Sequence, residues 1–297
     1  MAFIRSFSES NINLMTQFGS VDTTKCKLLF EPYGKRYIKV KAECNAALFA
    51  MLKNDIYAGI VFPAIRNDEL HYYYKGGCLF KFVKGAFFRN ANYENYSEGT
   101  QGLSTYEKAK KQNENKYSKT DGESKERKLL DELYCYTFGT QHNSSVVVLD
   151  IEVNLGVGQV LKCDLALFNT VTREIMFVEG KVYRDARVRS RIDTGIEVIT
   201  QVNAYTDAIV KQSDTILLQY ANYVKLINGL FGTNYVAPIK LVHHAKLLVY
   251  DTGGGKQENV DYTIRTVNHN LGEDNVMWVE RGVRPTIEQI WDALRGE

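Results

Sequence analysis

Residues 175–184 read IMFVEGKVYR, an apolar, β-branched run with the composition of a buried strand that nevertheless carries Glu179 and Lys181 within it. Alternation along a strand puts Phe177, Glu179, Lys181 and Tyr183 on one face, with Gly180 opposite and its backbone unshielded by a side chain. An acid and a base therefore stand side by side at a sheet surface. A solvated face is the ordinary reason for such a pair, so the neighbouring segments must decide whether chemistry is involved.

Working outward, residues 144–155 (SSVVVLDIEVNL) and 159–169 (QVLKCDLALFN) read as two more strands, separated by turn-like LGVGQ and by NTVTR from the strand at 174–183. Before them, 125–138 (KERKLLDELYCYTF) has helical spacing of Leu129, Leu130, Leu133 and Tyr134 or Tyr136. After them, Thr194 and Glu197 stand at capping-box spacing, and Val198, Val202, Tyr205 and Ile209 share one helical face. A second helical stretch follows at 217–232. Residues 239–251 (IKLVHHAKLLVYD) read as a further strand, and 285–296 as a closing helix with Pro285 near its first turn. The order is helix, three strands, helix, strand.

In front of this lies an alternating region, 25–92, with turns at 32–34 and Gly76-Gly77 and a helical stretch at 44–55. It predicts a small α+β module. Residues 93–124 are polar, and 106–128 holds eight Lys/Arg against five acids, which reads as a linker or basic loop leading into a helix. The expected division is an N-terminal accessory module over 1–115 and a second domain over 116–297.

Asp164, fifteen residues before Glu179, lies on the strand expected to pair with it through a short hairpin. Two carboxylates so placed repel unless a cation separates them. A hard divalent ion such as magnesium takes oxygen ligands from carboxylates, a backbone carbonyl and phosphate. Asp164, Glu179 and the Gly180 carbonyl would form one face of such a shell, with Lys181 meeting a phosphate or the attacking water. On the next helix, Gln201 and Tyr205 are four apart and face the same way.

The series GVGQVLKCD, FVEGK and QVNAY resembles the three motifs of the PD-(D/E)XK nuclease superfamily, in particular its RecB-like branch with a QxxxY signature. The resemblance covers residues 124–251. It implies a restriction-endonuclease-like α/β core, a mixed central sheet flanked by helices, and metal-dependent hydrolysis of phosphodiester bonds, with DNA favoured over RNA. Asp164 and Glu179 would bind magnesium or manganese, Lys181 would orient or activate water, and Gln201 and Tyr205 would steady the site. The family often adds an acid from the preceding helix, for which Glu126 is the first choice and Glu132 the second. Cys163 stands where the family often has proline. No cysteine follows it, so no iron–sulfur cluster is expected.

The run 181–191 (KVYRDARVRSR) carries five cations against Asp185 alone and directly follows the proposed catalytic strand. Arg184, Arg187, Arg189 and Arg191 are the candidate nucleic-acid contacts, a solvated loop being the alternative. In the front module, Tyr72, Tyr73, Tyr74, Phe80, Phe87 and Phe88 either stack on bases or form sheet core. Asp150 and Glu152 share a strand face in a solvated or ion-paired role, a secondary metal contact being the alternative. Adjacent His243 and His244 would point to opposite faces of their strand and so cannot share a metal. The glycine-rich DTGGGKQ lacks the spacing of a phosphate-binding loop.

With 297 residues, 44% apolar content and a net charge of +2, the chain has the make-up of a globular protein with no strong overall field. Any polyanion must meet a local basic patch. The five cysteines are odd in number, widely spaced and never in a CxxC arrangement, which argues against a disulfide framework or zinc ribbon. No apolar run reaches membrane-spanning length, so a cytoplasmic protein without a membrane partner is expected. A non-catalytic nucleic-acid- or protein-binding module that kept the fold is the alternative to a nuclease.

Overall fold

A computed structural model describes residues 3–18, 28–34, 36–90, 103–117, 122–134, 138, 144–156, 162–189, 196–251, 253 and 255–296. Among these the architecture is mixed α/β, with two sheets and eight α-helices. The front part comprises α1 (Glu9–Thr16), β1 (Leu28–Tyr33), β2 (Tyr37–Val40), α2 (Asn45–Tyr57), β3 (Phe62–Ile65), β4 (Glu69–Tyr74), β5 (Gly77–Val83), β6 (Ala86–Asn90) and β7 (Leu103–Ser104). Its strands form one antiparallel sheet in the order β3-β4-β5-β6-β2-β1-β7.

Two helices follow, α3 (Tyr106–Tyr117) and α4 (Gly122–Tyr134), and then β8 (Val146–Asn154), β9 (Lys162–Asn169) and β10 (Glu174–Val182). The chain continues through α5 (Glu197–Lys211), α6 (Ser213–Phe231), β11 (Lys240–Leu241), β12 (Lys246–Tyr250), α7 (Gln257–Leu271), β13 (Val276–Val279) and α8 (Ile287–Arg295). The second sheet runs β13-β12-β10-β9-β8, with β11 also paired to β10. β8, β9 and β10 are antiparallel, whereas β12 lies parallel to β10 and β13 parallel to β12. No described helix is long and apolar enough to cross a membrane.

β10 is central and buried at all nine positions, which accounts for its largely apolar composition. Its face is therefore not solvated: Glu179 is 1% and Lys181 2% exposed. α5 buries Val198, Val202, Tyr205 and Ile209, the face its spacing implies. Thr194, the proposed cap, lies outside the described residues. The closing helix starts at Ile287, two residues after Pro285: Thr286 is the N-cap, in a reciprocal capping box with Gln289.

Three expectations need correction. Residues 106–117 are not linker but α3, which buries Tyr106, Ala109, Lys110 and Asn113. That face is one helical stripe made largely of polar groups. Asn113 donates to the carbonyls of Tyr74 and Gly77, Tyr106 donates to Asp55, and Arg89 donates to the Ala109 carbonyl. The strand expected over 239–251 is broken by a bend, so His243 and His244 are exposed between β11 and β12 and not on a strand. Among the front aromatics, Tyr72, Phe80 and Phe87 are core, at most 1% exposed, and cannot stack on bases.

The two sheets share a continuous set of buried residues. An extended segment, 3–7, points Phe3, Arg5 and Phe7 inward. Phe3 packs on Tyr220 and Phe7 on Phe82, so this segment touches both parts. Asp150 is ion-paired and not solvated: it receives Arg5 at 2.6 Å, Arg66 at 2.5 Å and the Tyr220 hydroxyl at 3.1 Å. A register shift between Val148 and Asp150, and a left-handed Glu152 (φ 50°), undo the simple alternation that would put these two acids on one face.

Candidate active site

The ladder between β9 and β10 runs from Asn169–Glu174 to Leu165–Val178 and stops there. The next register pair would be Asp164 and Glu179. Beyond this point the Gly180 amide donates to Asp164 Oδ2 at 2.8 Å. The splayed strand ends thus turn Asp164 toward the start of the Glu179-Gly180-Lys181 segment.

Lys181 Nζ stands where three carboxylates converge. It is 2.5 Å from Glu179 Oε1, 3.6 Å from Glu126 Oε1 and 3.8 Å from Asp164 Oδ2, and it donates to the Gly180 carbonyl at 2.8 Å. α4 brings Glu126 over the sheet because Leu130, one turn on, packs on the bare Gly180: a β-carbon there would lie 2.6 Å from Leu130 Cδ2. Glu132 is elsewhere, exposed and paired with Arg284. From α5, Gln201 Nε2 donates to Glu179 Oε1 at 2.7 Å and to the Tyr205 hydroxyl at 2.9 Å. Asp164, Glu179, Lys181, Glu126 and Gln201 line one cavity of about 320 Å3.

Burial dominates the electrostatics. It lifts the Glu126 carboxyl to about 7, against the pull of Lys181 and with added repulsion from Asp164. It likewise lifts Glu179 well above the usual carboxylate range, Asp164 adding to the rise, and it lifts Asp164 as well against Lys181. Burial alone would lower Lys181, but Asp164, Glu179 and Glu126 together hold it above its ordinary value. The three carboxylates thus favour the charged form of the lysine. Burial also pushes the Tyr205 hydroxyl up, and the Cys163 thiol beside Asp164 far up, leaving both neutral.

Among the described residues no three His, Cys, Asp or Glu side chains form a metal-ligand cluster by themselves; the lysine ammonium stands between the acids instead. The donor set still suits a hard divalent cation, being all oxygen. Glu126 Oε2, Glu179 Oε2 and Gln201 Oε1 are buried without a hydrogen-bond partner, three acceptors that a cation would satisfy.

The basic run divides. Arg187 lines the cavity and is held by Asp185 at 2.5 Å. Arg184 is exposed and donates to the Gly253 carbonyl, and Arg189 is exposed. Arg191 lies outside the described residues. The sequence reading missed several cavity residues. Lys162, two before Asp164 on β9, could have been found from strand alternation, and Arg127 from its place beside Glu126. Tyr73 and Gly76 come from the β4–β5 hairpin of the front sheet, where Gly76 donates to Asp131 of α4; the sequence marks one as a sheet aromatic and the other as a turn, but nothing local places them at this cavity.

No family model matches the chain, and neither does any curated protein or solved structure.

Proposed function

We propose that the chain is a divalent-metal-dependent nuclease with a restriction-endonuclease-like core over 116–297, and that residues 1–115 form an accessory module. The observation that carries this reading is the convergence of Asp164, Glu179 and Glu126 on Lys181 at one cavity, with Gln201 bonded to Glu179. Buried acids with unsatisfied oxygens are costly to keep unless they serve a cation or a reaction.

The Asp164 and Glu179 carboxylates and the Gly180 carbonyl would hold magnesium or manganese, with Glu126 at the periphery. Such an ion, when bound, neutralises charge on a phosphodiester and lowers the pKa of a coordinated water. Lys181, held protonated, would stabilise the charge that develops on the non-bridging oxygens. Gln201 orients the Glu179 carboxylate and is itself fixed by Tyr205. Water adds to phosphorus as the ester P–O bond breaks, giving a phosphate monoester and a hydroxyl. Arg187 would meet the phosphate chain at the cavity, with Arg184, Arg189 and Arg191 on the approach. DNA is the favoured substrate because the motif series resembles that of DNA nucleases.

The test is incubation of the purified protein and its Asp164→Ala and Lys181→Ala variants with single- and double-stranded DNA, linear and circular, and with RNA, in magnesium, manganese or chelator. Cleavage by the wild type alone, stopped by chelator, is expected. Intact substrates throughout, with DNA still bound, would replace the catalytic reading by a binding module.

A further inference from the structure

The half-exposed face of the front sheet carries a second cavity, of about 480 Å3, within the roughly 300–1,000 Å3 usual for ligand sites. We propose that it is a binding groove for single-stranded nucleic acid, holding unpaired bases against Tyr33, Tyr37 and Phe88 and phosphates against Lys81, Lys84 and Lys39.

The sheet register builds this arrangement. Tyr33 and Tyr37 are a cross-strand pair on β1 and β2. Phe88 on β6 stands opposite Lys39 on one side and Lys81 on the other, a lysine–aromatic–lysine row across three strands. The inward residues of the same strands, Ile38, Val40, Phe82 and Phe87, are core. The outward aromatics are thus surplus to packing. Tyr33 is 57% exposed, its ring centroid 4.7 Å from that of Phe88. Lys81 Nζ stands 5.8 Å over the Tyr37 ring. Exposed aromatics interleaved with lysines suit a chain that alternates flat apolar bases with anionic phosphates.

Charge and hydrogen bonding point the same way. Glu31 holds Lys39 at 3.0 Å, and Glu69, hydrogen-bonded at 2.5 Å to a His71 that burial keeps neutral, is an anion on the groove wall. Among the described residues no carboxylate lies within ion-pair distance of Lys81 or Lys84, and Lys39, Lys81 and Lys84 outnumber Glu69 along the groove. Asn45, 7% exposed and lining the groove, has a buried Oδ1 with no hydrogen-bond partner. An exocyclic amine of a base would supply the donor it lacks. A duplex hides its base faces and cannot use these rings, so the groove selects unpaired strands.

The test uses the full chain in chelator, which makes it independent of any cleavage. Binding of labelled single-stranded DNA, single-stranded RNA and duplex DNA is followed by fluorescence anisotropy for the wild type and for Tyr37→Ala, Tyr37→Phe, Phe88→Ala and Lys81→Glu. Each variant is first shown to melt cooperatively. Either single strand should bind more tightly than the duplex. Tyr37→Ala and Phe88→Ala should weaken that binding about tenfold or more, and Tyr37→Phe should retain it. Lys81→Glu, a surface change that leaves the core intact, should weaken binding and reduce the salt slope by about one. Photocrosslinks from an iodouracil-substituted strand should map to β1, β2 or β6. Equal binding of duplex and single strand, no binding, or wild-type affinity in folded Tyr37→Ala and Lys81→Glu would overturn the proposal.

Discussion

The Gly180 amide, two residues past the last β9–β10 ladder pair, donates to the carboxylate of Asp164, one residue past it on the other strand. A side chain thus takes the place of a strand carbonyl, and the gap it bridges is where the acids and Lys181 meet. Gly180 has a second constraint, since Leu130 of α4 rests on its α-carbon.

Gly180→Ala should therefore destabilise the fold by about 1–3 kcal/mol through overpacking. The clashing atom is the end of a flexible side chain, so Leu130→Ala in the same chain should recover part of the loss. Urea denaturation of both singles and the double variant measures this coupling. Strict additivity would show that Leu130 and Gly180 do not set the height of α4 over the sheet.

Glu126 and Glu132 share a helix but not an environment. Glu126 is 3.6 Å from Lys181 with a buried, unsatisfied Oε2, while Glu132 pairs with Arg284 at the surface. Glu126→Gln is expected to lower metal-dependent turnover roughly 10- to 100-fold. Glu132→Gln should leave turnover near wild type and stability within about 1 kcal/mol. Steady-state rates in manganese decide it; equal losses in the two variants would remove Glu126 from the site.

What the sequence disclosed follows from where its signals are local. β8, β9 and β10 are marked by apolar runs with turns between, and the site residues on β10 and α5 fall at fixed short spacings, Glu179 to Lys181 and Gln201 to Tyr205. α3 was hidden because its buried stripe of Tyr106, Lys110 and Asn113 looks like a solvated surface until Tyr74, Gly77 and Asp55 are placed against it. Asp150 was unreadable for a similar reason, its partners Arg5 and Arg66 being 145 and 84 residues away. The contribution of Tyr73 and Gly76 to the cavity wall depends on how two sheets pack, which periodicity cannot report.

Asp150 gives a pH-dependent prediction away from the site. Burial alone would raise its carboxyl, but Arg5 and Arg66 hold it below the ordinary aspartate value of 3.8. A depressed native pKa contributes stability that is fully present above the unfolded value and is lost as pH falls through the native one. Asp150→Asn leaves the buried Arg5 and the partly buried Arg66 guanidiniums without their counter-charge, so it should destabilise by about 3–5 kcal/mol at neutral pH. The gap from wild type should narrow as pH drops below about 3.8. Denaturant melts across that range test it, and a gap that is constant with pH would mean the pair contributes packing alone.

Lys181→Met offers the sharpest separation of structure from chemistry. The side chain is 2% exposed and is the cation closest to three carboxylates that burial already destabilises in their charged form. Removing it while keeping an apolar chain of similar length leaves those charges uncompensated, and about 3–5 kcal/mol of stability should be lost in chelator at neutral pH. The loss should shrink as pH falls, because protonating the acids removes the repulsion. Manganese should restore stability more in the variant than in the wild type, since a divalent ion supplies the missing positive charge. If Lys181 serves the proposed phosphodiester chemistry, turnover should stay low, because the ion does not replace its ammonium. Stability that recovers with manganese while activity does not would separate the two duties of Lys181. Stability indifferent to manganese in both proteins would instead argue that the acids hold no metal, and that Lys181 is only their counter-ion.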